Sequence, residues 1–198
     1  REMVMQLRAK NGMRQGALKV IVTGGASENL AAVSGKADLI VLNVPWTRPP
    51  QETYDNGVQL LADRYGRPEP EIKTLNYFHT LRLRKKMQAI GAIDVLYHRE
   101  EVYEASRANL FAVKGGTIYT PGEGMLYGIT RKQVLKLFPE IKIAPVMYSD
   151  LYDFDELFVS STSRDITPIV GIDNRTIGTG KPGAVTREVQ TAFAGQVY

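Results

Sequence analysis

The chain has 198 residues, of which 43% are hydrophobic and 23% are charged, and its net charge is +4. This composition is typical of a globular protein, and the charge is too modest to indicate nucleic acid as a partner. The longest apolar runs are far shorter than the ~20 residues that cross a bilayer, so we expect a soluble protein. With no cysteine and two histidines, disulfides and thiolate catalysis are excluded, a metal site is disfavoured, and the cytoplasm is the expected compartment.

The first part of the chain predicts a short helix followed by two strands. Met3, Val4 and Leu7 lie on one helical face. Residues 18–23 and 37–43 are rich in β-branched side chains and are bounded by glycine or proline, which is typical of strands. We therefore expect this part of the chain to be the C-terminal part of a small domain.

Several prolines and an Asn-Gly pair follow, and such residues indicate a boundary between two lobes. We place the small lobe at residues 1–51, a linker at 52–56 and a large domain at 57–198. Because the chain begins with Arg1 and enters a helix at once, we also expect that part of the small lobe lies upstream.

The large domain alternates short strands with three helices. Strands are predicted at 58–65, 94–98, 102–105, 109–113, 117–119, 142–146, 157–160 and 167–172. Helices are predicted at 76–90, from about Thr130 to before Pro139, and around Val185, Val189 and Phe193. Short connections and few helices favour a mixed, largely antiparallel sheet or pseudo-barrel, which makes the fold class α/β to α+β.

Two motifs suggest a nucleotide or polyanion function and are set aside. Residues 178–183 match the Gly-x-Gly-x-x-Gly fingerprint, but too few residues follow for the strand and the acidic side chain that a dinucleotide site requires. The basic residues at 82–86 lie in the second half of a predicted helix, where cations complement the helix dipole and face water. Neither motif therefore predicts a binding site.

Lys73 lies between an extended segment and a predicted helix start, and it is followed by apolar residues and a capping Asn76. We expect its amine to be buried, facing an acidic group and a phosphate cradle. A surface lysine is the alternative that the local sequence leaves open.

Five segments carry a family resemblance, and they occur in a fixed order. They are 71–77 around Lys73, 104–111 (Glu-Ala-Ser-Arg-Ala-Asn-Leu-Phe), 119–121, 126–131 (Leu-Tyr-Gly-Ile-Thr-Arg), and 160–163 with 166–168. Together they resemble the class IV aminotransferases, a family that includes D-amino acid and branched-chain transaminases and aminodeoxychorismate lyase. The resemblance extends from Lys73 to the C-terminal part of the chain.

The resemblance implies pyridoxal 5′-phosphate (PLP) as cofactor and assigns roles to particular residues. Lys73 would carry the cofactor and act as the base, and Glu104 would face the pyridine nitrogen, which must stay protonated for the ring to accept electrons. A helix start together with hydroxyls suits the phosphate. The full set of implied cofactor contacts is Lys73, Tyr77, Glu104, Leu126, Gly128, Ile129, Thr130, Ser161 and Thr162.

Arg107 departs from the family pattern, since this position is more often small or acidic. We predict that Arg107 and Ser163 contact the substrate, and that Arg107 binds a carboxylate of the substrate. The alternative for Arg107 is a surface arginine on a hairpin.

These features predict transfer of an amino group between a D-amino acid or a branched-chain L-amino acid and a 2-oxo acid, in a homodimer without nucleic-acid or membrane partners. Two alternatives stay open. One is a PLP lyase that acts on aminodeoxychorismate, and the other is a non-catalytic module that keeps the fold but holds no cofactor.

Overall fold

The computed structural model of the chain describes residues 2–12, 16–27, 29, 32–33 and 35–197. It divides the chain into two compact units, Arg1–Arg48 and Pro49–Tyr198. The segment 52–56, which was predicted as a linker, contains the short helix α2 (Glu52–Asp55), whose Tyr54 side chain is buried. Proline and Asn-Gly suit the ends of such a helix as well as a linker, and Tyr54 gives it an apolar anchor.

The smaller unit contains one helix and a two-stranded ribbon. Helix α1 is Glu2–Asn11, and strand β1 (Ala17–Thr23) pairs antiparallel with β2 (Asp38–Val44). The helix and both strands lie where the hydrophobic pattern predicts them. Gly12 follows the helix with φ of 61°, the left-handed conformation that commonly ends helices.

The larger unit is built on a mixed sheet with helices on its surface. Within the described residues its strands are β3 (Val58–Arg64), β4 (Ala92–His98), β5 (Glu101–Ala105), β6 (Ala108–Lys114), β7 (Thr117–Thr120), β8 (Lys142–Ile143), β9 (Val146–Met147), β10 (Glu156–Ser161), β11 (Asp165–Ile172) and β12 (Arg175–Thr176). Its further helices are α3 (Phe78–Arg82), α4 (Arg84–Ile90), α5 (Ile129–Leu137) and α6 (Ala184–Val197). Among the described helices, none combines the length and the apolar character needed to cross a membrane.

Six of these strands close into a ring. Their order is β6, β10, β11, β3, β4 and β5, and β5 pairs with β6 to complete the circuit. The pairs β11–β3 and β3–β4 are parallel, whereas the other pairs in the ring are antiparallel. The predicted mixed pseudo-barrel is therefore confirmed.

Alternate residues of the strands supply two apolar layers. Leu60, Leu96 and Leu110 belong to one cluster of fully buried side chains. Phe111 and Phe158 face the other way, where they stack at 4.7 Å between ring centroids and pack with α5 and α6. Because successive side chains of a strand point to opposite faces of the sheet, a residue's position along its strand decides whether it faces the first cluster or the helices.

The helix predicted at 76–90 is divided in two, and this boundary prediction was wrong. Leu83 is buried against Val95 and Tyr97, and its amide bonds to the Thr80 carbonyl oxygen at 3.1 Å, a tighter turn than in an α-helix. The end of the helix at Gly91 is confirmed, with Gly91 left-handed at φ of 68°. The strand predicted at 142–146 is also divided in two. Before Pro145, β8 pairs with β7, and after Pro145, β9 pairs with β5.

The N-terminus of α6, which follows the glycine-rich segment 178–183, is capped by a residue of β10. The Glu156 carboxylate accepts hydrogen bonds from the backbone amides of Val185 (3.1 Å) and Thr186 (2.7 Å). A side chain at Gly183 would overlap this carboxylate. The helix N-terminus, which would bind a phosphate in a nucleotide site, is thus occupied by the protein's own carboxylate.

Candidate active site

Three neighbouring strands place the central residues of the site in one row. On β5, Glu104 lies opposite Asn109 of β6, and Asn109 lies opposite Ser160 of β10. Tyr97 of β4 lies on the other side of Glu104. The backbone register therefore fixes the spacing between the acidic side chain and the turn that follows Ser160.

Glu104 is only 4% exposed, and both of its oxygens are engaged. Oε1 accepts a hydrogen bond from Arg67 Nε at 2.6 Å, and Oε2 accepts one from the Leu126 backbone amide at 2.9 Å. Each carboxylate oxygen has two lone pairs, so Glu104 can accept a further hydrogen bond from a ligand.

The pKa of Glu104 is raised above its ordinary value of 4.5, mainly because burial disfavours the charged form. The hydrogen bonds from Leu126 and Arg67 and the positive charges of Arg67 and Lys73 act in the opposite direction. A cationic group beside the carboxylate, such as a protonated ring nitrogen, would stabilise its ionised form further.

The loop 126–128 is held to the row by Asn109. Its Nδ2 donates to the Leu126 carbonyl oxygen at 2.7 Å, and its Oδ1 lies where a side chain at Gly128 would be. Gly128 has ordinary extended backbone angles, so it is the close approach of Asn109 that requires glycine here. Asn109 thereby ties the start of α5 to the strand next to Glu104.

Helix α5 begins directly after Gly128. Its first backbone amides have no partner within the helix, and Thr130, its second residue, is buried. The Ile129 side chain is 70% exposed. Arg131 is buried and donates to the Pro121 carbonyl oxygen at 2.8 Å, which fixes α5 against the segment after β7.

The turn between β10 and β11 supplies further hydroxyl groups. Ser161 is buried, and its Oγ has no hydrogen-bond partner among the residues that the structure describes. Thr162 and Ser163 follow and are exposed. A buried hydroxyl group without a partner is costly, so its presence favours a ligand that satisfies it.

Lys73 is exposed, and the expectation that its side chain is buried was wrong. The connection between β3 and α3 is irregular, and residues 71–76 are all exposed because no strand pairing draws them into the sheet. Lys73 nevertheless lies close enough to Glu104 to lower its pKa. Tyr77, at the start of α3, is half-buried.

Arg107 lies in the two-residue turn between β5 and β6 and is half-exposed. Its Nη2 donates to the Ile93 carbonyl oxygen at 3.3 Å, and its Nε lies 3.5 Å from Asp94 Oδ2. Both interpretations of Arg107 are compatible with this position, because it is a hairpin arginine whose side chain is 47% exposed.

Two residues of the site were missed in the sequence. Asn109 could have been found, because a hairpin with a two-residue turn at 106–107 necessarily places position 109 opposite Glu104. Arg67 could not, because no local pattern connects it to a glutamate 37 positions away. Within the described residues, no group of three or more His, Cys, Asp or Glu side chains could hold a metal ion.

With this geometry in hand, comparison with known proteins identifies the class of protein. The family described as "Amino-transferase class IV" matches residues 1–172, and the chain belongs to this family. Class IV aminotransferases use PLP. Within the part of the chain that the structure describes, the buried carboxylate, the uncapped N-terminus of α5 and the unpartnered Ser161 hydroxyl fit the pyridine nitrogen and the phosphate of this cofactor.

Particular relatives are D-alanine aminotransferases. The chain is 33% identical to that of Bacillus licheniformis over 156 residues, which are 75% of this chain and 55% of the relative. It is 31% identical to that of Staphylococcus aureus (strain N315) over 206 residues, covering 97% of this chain and 72% of the relative. The matches thus leave between about a quarter and a half of these relatives' length outside the alignment.

Solved structures share the fold. The branched-chain amino acid aminotransferase of Escherichia coli is 25% identical, with a TM-score of 0.83, covering 98% of this chain and 69% of that one. A putative 4-amino-4-deoxychorismate lyase of Legionella pneumophila is 23% identical, with a TM-score of 0.84, covering 98% and 75%. A transaminase and a lyase thus share this architecture.

Proposed function

We propose that the protein is a PLP-dependent transaminase that transfers an amino group between an amino acid and a 2-oxo acid. The observation that carries the proposal is the buried Glu104 carboxylate, which lies within electrostatic reach of Lys73 and hydrogen-bonds to the loop that opens α5. Such a site suits a ligand with a cationic ring nitrogen at one end and a phosphate at the other.

When bound, PLP supplies an electron sink for the carbon atom that carries the amino group. The Lys73 amine is proposed to attach the cofactor and, once displaced by the substrate amine, to move the proton at the substrate Cα. Glu104 would accept a hydrogen bond from the ring nitrogen and keep it protonated. Arg67 holds the Glu104 carboxylate in place and favours its charged form.

The phosphate is proposed to lie at the N-terminus of α5. The backbone amides of Ile129 and Thr130 and the hydroxyl groups of Thr130 and Ser161 are its proposed donors, with Thr162 adding to the same turn. Leu126 is proposed to pack against the ring and Tyr77 to face its hydroxyl substituent. Arg107 and Ser163 remain proposed substrate contacts.

The proposed substrates are D-amino acids or branched-chain L-amino acids with 2-oxo acids as acceptors. The D-alanine aminotransferases support the first class, and the branched-chain aminotransferase fold supports the second. We also propose a homodimer in the cytoplasm, the compartment that suits a chain without cysteine.

Attachment of PLP to one lysine tests the proposal. The protein is incubated with PLP and reduced with borohydride, and the modified peptide is identified by mass spectrometry. We expect the label on Lys73, its loss in Lys73→Ala, and no loss in the control Lys85→Ala, an exposed lysine of α4. A label spread over several lysines would contradict the transaminase and favour the non-catalytic module.

A PLP lyase is the second candidate, supported by the Legionella pneumophila fold. The two reactions are separated by their products. A transaminase loaded with PLP converts an amino donor to its 2-oxo acid only in stoichiometric amount until an acceptor is added. Release of pyruvate from aminodeoxychorismate in many turnovers without an acceptor would establish the lyase instead.

A further inference from the structure

Asp94 is the most deeply buried carboxylate that the proposed reaction does not use. It is 1% exposed, at the start of β4. Its Oδ1 accepts a 2.9 Å hydrogen bond from the Val95 amide and a short one from the Ser106 hydroxyl group. A buried carboxylate is tolerated only when it is paired. The partners of Asp94 therefore show which parts of the chain it holds in place.

Arg164 is the principal cationic partner. Its Nη1 donates to Asp94 Oδ2 at 3.0 Å, and its Nη2 donates to the Ile93 carbonyl oxygen at 3.4 Å. The Arg164 side chain is only 17% exposed, and its own carbonyl oxygen accepts a hydrogen bond from Thr167 Oγ1 at 2.8 Å. Both the backbone and the side chain of Arg164 are thus fixed.

The contacts of Asp94 with Ser106 and Arg164 join two turns of the proposed site. Ser106 follows the strand that carries Glu104, and Arg164 follows directly after the turn residues Ser161, Thr162 and Ser163. Asp94 contacts both Ser106 and Arg164. A shift of the second turn relative to Glu104 would therefore break a buried ion pair.

Two cationic side chains lie beside Asp94. Its carboxylate faces the guanidinium groups of Arg164 and Arg107. Burial lowers the pKa of Arg164, and the nearby Arg107 lowers it further, whereas Asp94 raises it.

We propose that Asp94 and Arg164 are positioning residues that hold the Ser161–Ser163 turn in register with Glu104, so that the phosphate and the ring nitrogen of one cofactor can be bound together. This inference rests on the proposed function. It predicts that the ion pair contributes to binding of the phosphate, through the turn, and not to binding of the ring.

Comparison of PLP with pyridoxal, which lacks the phosphate, tests the proposal. In Arg164→Met we expect the Kd for PLP to rise about tenfold, the effect of losing a hydrogen bond to a charged group, while the Kd for pyridoxal changes less than about twofold. Arg164→Lys keeps the charge and should recover part of the affinity. Arg84→Met, on the exposed face of α4, is the matched control.

Hydrogen exchange of the cofactor-free protein provides a second readout. Amides of residues 162–164 should exchange faster in Arg164→Met, while those of β10 and β11 keep their protection. If Arg164→Met does not fold, Asp94→Glu, which retains the charge but shifts its position, replaces it in both measurements.

Equal weakening of PLP and pyridoxal, or unchanged binding of both with unchanged exchange, would overturn the positioning role while leaving the proposed function intact. If the wild-type protein binds neither compound, the proposed function fails and the inference fails with it.

Discussion

At the scale of single residues, Glu104 makes a prediction about pH. Its native pKa is raised by burial, so the native state holds this proton more tightly than the unfolded chain does. The resulting stability is complete below the ordinary value of 4.5 and is lost as the pH rises through the native pKa. Each unit by which the two pKa values differ is worth about 1.4 kcal/mol.

We therefore expect the free energy of unfolding of the cofactor-free protein, relative to that of Glu104→Gln, to fall as the pH is raised from about 4 to about 8. Urea unfolding at several pH values measures this difference. Parallel curves for the two proteins would show that the pKa of Glu104 is not raised.

Arg107 makes a prediction about substrate choice. Its Nε lies 3.5 Å from Asp94 Oδ2, longer than a charge-assisted hydrogen bond, and its side chain is 47% exposed, so the guanidinium can bind a second carboxylate. In Arg107→Ala we expect the KM for dicarboxylic substrates to rise about fivefold, at the scale of one exposed ion pair, with little change for monocarboxylic ones.

The matched control for Arg107 is Arg84→Ala, which removes an exposed arginine of α4. Steady-state kinetics with a dicarboxylic and a monocarboxylic 2-oxo acid supply the comparison. An unchanged KM in Arg107→Ala would leave this residue as a surface arginine of the hairpin.

At the scale of elements, the N-terminus of α6 depends on a residue from β10. The Glu156 carboxylate accepts hydrogen bonds from the backbone amides of Val185 and Thr186. Glu156→Ala should therefore lower the free energy of unfolding by about 1–2 kcal/mol, as expected for a lost helix cap. Thermal or urea unfolding measures the loss. Glu188→Ala, on the exposed side of α6, should change stability by less than about 0.5 kcal/mol.

Helices and strands were predictable from the sequence where one local feature determines where they begin or end. Gly91 ends α4 because it can adopt the left-handed conformation, and β5 and β6 are recognisable from their short turn. The break at Leu83 was not predictable, because its cause is burial against Val95 and Tyr97 of another element. The division at Pro145 likewise follows from a change of partner strand.

The same distinction holds within the site. Lys73, Glu104 and Thr130 were predicted as site residues because they lie within sequence signatures. Arg67 and the pair of Asp94 with Arg164 were not found, because these contacts join positions that are 37 and 70 residues apart and depend on the closed ring. The exposure of Lys73 was missed because a single sequence does not show whether a connection packs on the sheet.

At the scale of the whole molecule, all proposed cofactor contacts lie in the unit Pro49–Tyr198. PLP at about a hundred times its Kd should therefore add about 2.7 kcal/mol to the stability of this unit. The single tryptophan, Trp46, lies in the other unit. We expect PLP to raise the unfolding midpoint measured by circular dichroism more than the midpoint measured by Trp46 fluorescence.

The control for this prediction is Lys73→Ala, in which the added stability should decrease because the covalent attachment is lost. Equal shifts of both midpoints in the wild-type protein would show instead that the two units unfold together.

Closure of the six-stranded ring has a consequence for biosynthesis. Strand β3 ends at Arg64, but its parallel neighbour β11 is Asp165–Ile172, so about a hundred residues separate the two partners. On the ribosome, Lys73 and Glu104 emerge long before β11 does, and the ring cannot close until β11 has left the exit tunnel. A nascent chain arrested before that point should be unable to capture PLP, even though most of its proposed ligands have already been translated.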